Sequence, residues 1–433
     1  MPDVRTYQTL DLALRIGENL LSNGAGAADV TATMSLVAYH CGLRQAHVDL
    51  TFTTLTMSHQ EGPDQPSATA TRDIRRRTTD YDDLTQVDHL VRDLLDDKIE
   101  LEEARARIAQ ISSTGHRAPR WAVLIAWGFL GAGIAILLGG SLLVAGIAAI
   151  AAAGAQQVGR LLAPFRLPDF YVQIAGGAFA SLLAVATKAA DLPVNPSLVI
   201  VTGIVTLLAG LGFIGAFQDA LTGFYVTANA RILEVMLSTV GIIAGVGAGL
   251  TIGSLLGVQI TTSTSSTELA SIPVAAAGGA LSAAAFALTA YAPTRSALPI
   301  AVVGGTAAAI YVALSSPDTT PAWPSGVAAT FVGVVGYGVA RRVRVPPLVV
   351  VVPAIAPLLP GLSIYRGLSQ LADDNFLGII SLIAAVASAI ALASGVILGE
   401  YVAQPVGREV RRLEKRLSGP RLVGPLRGRS RKS

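Results

Sequence analysis

Long apolar runs, separated by short polar connections, fill most of the chain between residues 121 and 402. A helix needs about 20 apolar residues to cross the hydrocarbon layer of a bilayer, which is roughly 30 Å thick. Ten runs approach or exceed that length: 121–138, 141–157, 170–187, 196–216, 229–256, 270–291, 297–315, 323–341, 346–365 and 376–402. The pattern therefore predicts a mainly α-helical polytopic membrane protein with ten transmembrane helices.

The first two runs are almost continuous, and only Gly139 and Gly140 mark a turn between them. A single helix over residues 121–155 would be about 50 Å long at 1.5 Å per residue, which is too long for one crossing without severe tilt. We therefore interpret this stretch as two short helices.

The first 118 residues have the patterns of a small soluble domain, which we call the head. Apolar residues at helical spacing flank the stretch NGAGAAD at 23–29, which predicts two helices joined by a glycine turn. Residues 46–59 alternate as a strand, residues 69–77 can return as its hairpin partner, and residues 80–111 are helical in pattern. The head is therefore predicted to be a small α+β domain.

The chain also contains an internal repeat. The stretch NPSLVIVTGIVTLLAG at 195–210 resembles PPLVVVVPAIAPLLPG at 346–361, with seven of sixteen aligned positions identical. The copies fall in the fourth and the ninth predicted helix, and five crossings per unit would reverse the second unit, so we expect a 5+5 inverted repeat. The predicted units are the α+β domain at 1–118, two five-helix repeats at 119–260 and 261–405, and a basic tail at 406–433.

Charged residues are distributed unevenly. Of the 61 Asp, Glu, Lys and Arg residues, 31 lie in residues 1–120, 18 in residues 121–400 and 12 in the last 33. The connections predicted on the side of the head carry Arg160, Arg166, Arg231, Arg295, Arg341, Arg342 and Arg344, whereas those on the other side carry only Lys188 and Arg366. Because basic residues concentrate on the cytoplasmic side, both termini are predicted to be cytoplasmic. The polar start of the chain and the single Cys41 agree with a head in a reducing compartment.

Gly and Pro residues interrupt both copies of the repeat. They are Gly203, Gly210 and Gly212 in the first copy, and Pro353, Pro357, Pro360 and Gly361 in the second. Broken helices in transporters present free backbone groups to the substrate near the midplane, so we expect Gly210 and Gly361 to mark a substrate site. The alternative is that these residues only kink or pack the helices.

Polar residues follow each break and complete the candidate site. The candidate substrate-binding residues are Gly210, Gly361, Pro360, Gln218, Ser363, Arg231 and Arg366, and the candidate proton-coupling residues are Asp219 and Glu234. An ionised residue at the centre of a span costs about 2.5–3.5 kcal/mol, so such residues tend to be functional or paired. Alternatives remain: Arg231 and Glu234 are spaced to pair on one helix face, and Asp219, Asp373 and Asp374 can be solvated loop residues. Glu400 suits a snorkelling or capping role.

The head shows no pattern that requires catalysis. Its histidines lack a metal-binding spacing, Cys41 has no adjacent base, and GAGAAD alone is a weak phosphate-loop signal. Residues 75–77 are arginines within an acidic domain and suit anionic lipid better than nucleic acid, as does the tail with ten Lys or Arg. We expect no enzyme activity, no cofactor, no metal and no nucleic-acid partner.

Several stretches, taken together, resemble the threonine/serine exporter family. They are LALRIGENLLSNGAGAADVTATM, VDLTFTTLTMSH, GPDQP, LLAGLGFIGAFQDALTGFYVTANARILE, LLPGLSIYRGL and GVILGE, which occur in order between residues 10 and 405. The resemblance implies a cytoplasmic head, two sets of five helices, and export of threonine and serine across the plasma membrane driven by the proton motive force. Ala209 stands where many relatives carry Pro, and Thr31 stands where an acidic residue is usual.

Energetics favours coupling to an ion if the substrate is a zwitterionic amino acid, because the membrane potential does no work on a molecule without net charge. One proton entering across 100 mV releases about 2.3 kcal/mol, enough for a gradient of roughly fifty-fold. We therefore expect a proton antiporter, with Asp219 or Glu234 as the titrating group. A dicarboxylate exporter, a channel-like facilitator, a membrane enzyme and an assembly scaffold remain alternatives, and a homo-oligomer is possible.

Overall fold

The computed structural model describes residues 3–62, 64–74, 79–115, 118–205, 207, 210–258, 270–316, 319–372 and 376–403. Within them the chain forms sixteen α-helices, two 3-10 helices and one three-stranded sheet, so the prediction of a mainly helical protein is confirmed. Arginines 75–77, the connection 259–269, Asp373, Asp374, Ala209 and the basic tail lie outside the described residues.

The head contains the predicted helices and a small antiparallel sheet. Its elements are α1 (Val4–Ser22), α2 (Ala27–His40), β1 (Ala46–Thr51), β2 (Thr54–His59), β3 (Ala68–Asp73), α3 (Tyr81–Leu95) and α4 (Leu101–Ser113). The prediction of one strand over 46–59 is wrong, because Phe52 and Thr53 turn the chain and the stretch folds as the β1–β2 hairpin. Phe52 has a φ of 52°, the left-handed conformation that a two-residue hairpin turn needs. The strands pair in the order β1–β2–β3.

Close helix packing and a side-chain cap stabilise the head. Gly17 on α1 lies against Met34 on α2 so closely that an added Cβ would overlap the Met34 side chain. At the start of α3, Asp80 Oδ1 accepts hydrogen bonds from the backbone N–H groups of Asp82 and Asp83 at 2.9 and 3.0 Å. This N-cap satisfies donors that have no partner within the helix.

The membrane body consists of eight long apolar helices and two interrupted ones. The long helices are α5 (Arg120–Leu137), α6 (Leu142–Leu162), α7 (Asp169–Ala189), α10 (Tyr225–Leu255), α11 (Ile272–Thr289), α12 (Thr294–Leu314), α13 (Ala322–Val343) and α16 (Leu377–Ala403). The predicted spans 196–216 and 346–365 are each divided: into α8 (Pro196–Val205) and α9 (Gly210–Leu221), and into α14 (Pro347–Ile355), the 3-10 helix Ala356–Leu358 and α15 (Gly361–Ala372). Eight of the described helices, rather than ten, are therefore long enough to span a membrane alone.

The stretch 121–157 forms two helices, as predicted. The turn between α5 and α6 contains Gly139 with a φ of 77°, a conformation that a side chain would strain. This separation gives two helices of ordinary crossing length.

Small residues allow the long helices to pack closely. A Cβ added to Gly177 on α7 would lie 2.6 Å from the carbonyl oxygen of Ile242 on α10. Likewise, a Cβ added to Gly333 on α13 would lie 2.5 Å from the carbonyl oxygen of Val396 on α16. Without a hydrophobic effect between helices in lipid, such backbone approach is a main source of helix association.

The contacts among helices follow the same scheme in both halves of the body. In the first half (α5–α10), the contacting pairs are α5–α6, α6–α7, α5–α8, α6–α8, α7–α8, α7–α10 and α9–α10. In the second half (α11–α16), they are α11–α12, α12–α13, α11–α14, α12–α14, α13–α14, α13–α16 and α15–α16. Each pair in the first half thus has a counterpart six helices later.

Candidate functional site

The two interrupted helices coincide with the two copies of the sequence repeat. Helices α8 and α14 begin at Pro196 and Pro347, and helices α9 and α15 begin at Gly210 and Gly361. In both cases the second residue follows the first by 151 positions, as the two copies do. Within the described residues, both copies therefore form an apolar half-helix, an interruption, and a second half-helix whose described part begins at glycine.

Prolines explain the break in the second copy. Pro357 and Pro360 have no backbone N–H and cannot continue the hydrogen bonding of α14. The chain resumes with the Ile364 N–H donating to the Pro360 carbonyl at 3.0 Å, which is the first turn of α15. In the first copy, Thr206, Leu208 and Ala209 lie outside the described residues.

The second half-helix of each break lies at the boundary between the two halves of the body. Helix α9 contacts α10 of its own half and α16 of the other, and α15 contacts α16 of its own half and α10 of the other. Helix α15 also contacts α8, the other member of the first broken pair. The four helices α9, α10, α15 and α16 therefore form a closed set of contacts between the halves.

Part of the predicted substrate-binding set lies along α15. Gly361 begins the helix, Pro360 precedes it, Ser363 lies in its first turn and Arg366 follows one turn later. The side chains of Ser363 and Arg366 are both partly buried. A helix N-terminus with a nearby guanidinium suits an anionic group such as a carboxylate.

The other predicted residues lie at the opposite end of α9 and on α10. Gln218 and Asp219 are in the last turns of α9, two helical turns beyond Gly210. Arg231 and Glu234 are in the first turns of α10; Arg231 is buried and Glu234 is exposed. The structure therefore brings Gln218, Asp219 and Arg231 together near the head, away from the start of α9.

Asp219 is the centre of this junction and is fully buried, with 0% of its surface exposed. Its Oδ1 accepts a hydrogen bond from the backbone N–H of Ala27 in the head at 2.9 Å. Its Oδ2 lies 2.8 Å from Nη1 of Arg231, whose exposed fraction is 7%. Asp219 is thus a buried ion-pair partner of Arg231 rather than a solvated loop residue.

Glycines lie beside both partners of Asp219. A Cβ added to Gly215 on α9 would lie 3.1 Å from Nη1 of Arg231, so the guanidinium packs against bare backbone. Gly26 is the N-cap of α2 and offers no side chain to cap that helix. The Asp219 carboxylate takes this capping position from another domain, and Gly26 would place a Cβ 3.6 Å from Asp219 Oδ1. The NGAGAAD turn therefore receives a carboxylate of the body.

Three further hydrogen bonds join the head to the same face of the body. The Phe52 N–H donates to Thr227 Oγ1 at 3.1 Å, and the Tyr81 N–H donates to the Ala290 carbonyl at 2.8 Å. His89 Nε2 lies 3.1 Å from the carbonyl oxygen of Arg344. The contacted segments adjoin the 222–224, 290–293 and 344–346 connections. The distribution of basic residues predicts that these connections lie on the same side of the membrane as the head.

Sequence reasoning missed two polar features of the body. Glu400 on α16 is 2% exposed, and the backbone N of Glu400 would lie 3.1 Å from a Cβ on Gly333, so the snorkelling interpretation is wrong. On the second half, Ser381 donates a hydrogen bond to Gln370 Oε1 at 3.0 Å, which joins α15 to α16. The 151-residue offset pairs Gln370 with Asp219, and that correspondence is the sequence signal that could have indicated this contact.

Within the described residues, no group of three His, Cys, Asp or Glu side chains is placed to hold a metal ion. Burial raises the pKa of the Cys41 thiol to about 11, which keeps the sulfur protonated and unreactive at neutral pH.

Comparisons with known proteins match almost the whole chain. A family described as "Putative threonine/serine exporter" matches residues 11–253, and one described as "Threonine/Serine exporter, ThrE" matches residues 275–402. A Mycobacterium tuberculosis protein named "Probable threonine/serine exporter" is 33% identical over 413 residues, covering 93% of this chain and 78% of that protein. A Corynebacterium glutamicum protein named "Threonine/serine exporter" is 34% identical over 410 residues, covering 93% and 84%. Both are named as exporters and not as enzymes, and no solved structure matches the chain.

Proposed function

The chain belongs to the threonine/serine exporter family, and on this premise we propose that it exports threonine and serine across the plasma membrane by proton antiport. The observation that carries the proposal is the pair of matched breaks, in which α9 and α15 both begin at the glycine of the repeated stretch. Paired broken helices between two halves are the usual place of a substrate site in secondary transporters.

An inverted repeat of five plus five crossings is the architecture we propose for the body. Three observations support it: the two broken positions share one offset, the helix contacts of both halves follow one scheme, and the two family matches divide between α10 and α11. In this arrangement α8–α9 and α14–α15 each count as one crossing. Head and tail are then cytoplasmic, and the basic tail contacts anionic lipid.

Substrate recognition, in our proposal, uses backbone at the two breaks and polar side chains beside them. Gly210 and Gly361 have no side chain, so the first N–H groups of α9 and α15 can approach the substrate carboxylate. Pro360 and Ser363 shape the second break, and Arg366 supplies positive charge one turn along α15. Gln218 and Arg231 serve the head-side end of the path.

Proton coupling is assigned to Asp219, with Glu234 as the second candidate. A coupling carboxylate must lose and regain its proton during the cycle, and Asp219 already has a cationic partner that can stabilise its charged form. Glu234 is exposed near the same end of α10 and would meet solvent directly. Glu400, buried in α16, is a third carboxylate that the test should include.

The test is transport by the purified protein in proteoliposomes. Radiolabelled threonine and serine should accumulate when a proton gradient is imposed, whereas succinate should not. Threonine flux that never exceeds equilibration, with or without the gradient, would favour a channel-like facilitator and contradict antiport. Accumulation of succinate alone would indicate the dicarboxylate alternative.

Two classes of variant separate coupling from binding. Asp219→Asn or Glu234→Gln should abolish gradient-driven accumulation but retain threonine–threonine exchange if that carboxylate carries the proton. Gly361→Leu and Gly210→Leu should reduce exchange itself, because added bulk blocks the backbone.

The matched controls for added bulk are Gly338→Leu and Gly247→Leu, because both glycines are exposed and an added Cβ has no atom within 4 Å at either position. Normal exchange in both break variants, with correct insertion, would contradict the proposed site.

A further inference from the structure

The head contacts both halves of the membrane body on one face. In the first half it binds Asp219 of α9 through the Ala27 N–H at 2.9 Å, and Thr227 of α10 through the Phe52 N–H at 3.1 Å. These contacts come from two separate parts of the head, the N-terminus of α2 and the β1–β2 turn. The first half is therefore held at two points.

The second half is held by α3 of the head. The start of α3 donates a hydrogen bond from the Tyr81 N–H to the Ala290 carbonyl at 2.8 Å. Further along α3, His89 Nε2 bonds the Arg344 carbonyl at 3.1 Å. The head thus bridges α9 and α10 to the ends of α11 and α13, across the boundary between the halves.

The two joints differ in chemistry. One continuous apolar cluster contains the core of the head and buried second-half residues, including Ala290, Ala292, Val345 and Leu348. From the first half that cluster contains Ile214 as a buried member, with Phe217 and Phe224 partly buried beside it. Opening an apolar joint exposes apolar surface to water, whereas the hydrogen bonds of the first-half joint can be replaced by bonds to water, so the first-half joint is the one expected to open.

We propose that the head is a clasp between the two halves, which stays with the second half and must release Asp219 and Thr227 before the head-side face of the transporter opens. Movement of one half against the other is how inverted-repeat transporters alternate access. An element bonded to both halves on one face prevents that movement until one joint opens. The clasp rests on the proposed function only in that the halves move during transport, and does not depend on which residues bind substrate.

Reversible cross-linking of the first-half joint tests the clasp. In the full-length Cys41→Ser protein, Phe52→Cys and Thr227→Cys are joined with a short bifunctional methanethiosulfonate, which reductant removes. Threonine exchange in proteoliposomes should fall at least tenfold on cross-linking and recover on reduction. The control pair is Thr56→Cys with Thr71→Cys, whose parent hydroxyl oxygens lie 3.3 Å apart within the head sheet. Cross-linking the control pair should leave exchange unchanged.

Two outcomes of cross-linking would contradict the clasp. Full exchange by the cross-linked Phe52/Thr227 pair would show that transport does not require this joint to open, and would overturn the proposal. Because Thr227 is 1% exposed, access is checked with methyl methanethiosulfonate on Thr227→Cys alone. If that cysteine reacts but the pair does not cross-link, the head does not dock there and the proposal is overturned.

A second variant removes the Asp219 contact without a cross-linker. Ala27→Pro deletes the N–H that Asp219 accepts, at the first position of α2, where proline is well tolerated. Gly26 already has φ −67° and ψ 153°, as a residue before proline requires. Val4→Pro is the matched control, because Val4 is the exposed first residue of α1 and Asp3 before it has φ −64° and ψ 147°.

Hydrogen exchange gives the readout for these proline variants. The backbone amides of residues 217–224, at the head-side end of α9, should exchange about tenfold faster in Ala27→Pro than in the parent protein. Their exchange rates should be unchanged in Val4→Pro. Equal exchange in both variants would overturn the clasp. This measurement needs no substrate. Failure of the parent protein to transport threonine would therefore contradict the proposed function, whereas the hydrogen-exchange result would still test the clasp.

Discussion

Removing Arg231 should destabilise the protein strongly, because it leaves a buried carboxylate without its cationic partner. In Arg231→Met the side chain keeps most of its apolar length and loses its charge. Asp219, which is 0% exposed, then keeps the hydrogen bond from the Ala27 N–H but loses the charge of its ion-pair partner. Methionine is chosen because its flexible chain fills the same space without a new polar group.

The size of the effect follows from the 2.8 Å separation of Asp219 Oδ2 and Arg231 Nη1. At an effective dielectric constant of about 20, two unit charges at that distance attract by about 6 kcal/mol. Desolvation offsets part of this, and measured losses on removing one partner of a buried pair are about 3–5 kcal/mol. Because the Ala27 N–H still bonds the carboxylate, we expect about 3 kcal/mol.

The assay is a double-mutant cycle on the unfolding free energy, measured by denaturant titration in mixed micelles. Asp219→Asn combined with Arg231→Met removes both charges of this ion pair, so the double variant should be more stable than Arg231→Met alone. Arg342→Met is the control, since Arg342 is exposed on the same face of the body and should change stability by at most about 0.5 kcal/mol. Equal destabilisation in the single and double variants, or a loss in Arg231→Met no larger than in the control, would refute the pairing.

Three more results are expected. Burial raises the pKa of Asp88 from 3.8 to about 6, so between those pH values the folded head binds more protons than the unfolded head. The free energy of opening of α3, measured by hydrogen exchange from pH 4 to pH 7, should therefore fall by up to about 3 kcal/mol as the pH rises. Asp88→Asn should remove that fall. Gly133→Val should abolish the yield of folded protein in size-exclusion chromatography, because a Cβ there would lie 2.7 Å from the Ser282 backbone N. The control Gly146→Val should purify normally, because a Cβ at Gly146 has no atom within 4 Å. Arg72→Ala removes two half-exposed ion pairs and should lower the unfolding free energy of the protein by about 1 kcal/mol in denaturant titration; a loss above 3 kcal/mol would contradict a surface role.

Hydrophobic patterning predicted most of the body because each helix must cover about the same apolar thickness. The two glycines at 139 and 140 divided the first long run correctly, and the repeated stretch indicated the position of both breaks through its matched glycines at 210 and 361. Local patterns were less reliable in the head. The alternation over 46–59 is the same for one long strand and for a tight hairpin, and only the left-handed backbone at Phe52 separates the two.

The junction at Asp219 could not be read from sequence because its members are far apart along the chain. Asp219 and Ala27 are separated by 192 positions, and the Ala27 group involved is a backbone N–H that every residue except proline carries. Arg231 has Glu234 one turn away, so local spacing favoured a pair within α10. The distance in the folded protein shows that Asp219 is an ion-pair partner of Arg231.

The two halves have the same pattern of helix contacts, but only the first half has the Asp219–Arg231 ion pair. The repeat offset pairs Asp219 with Gln370, and both residues join the second half-helix of a break to the long helix that follows, through Arg231 in one case and Ser381 in the other. The first half therefore uses an ion pair where the second uses a neutral hydrogen bond. Since a buried charge needs partners to be stable, the charged version suits the end of the body that the head covers, where the Ala27 N–H adds a hydrogen bond to the carboxylate. The face of the body that carries Asp219 thus depends on a contact from the head, and cross-linking at Phe52 and Thr227 perturbs that face.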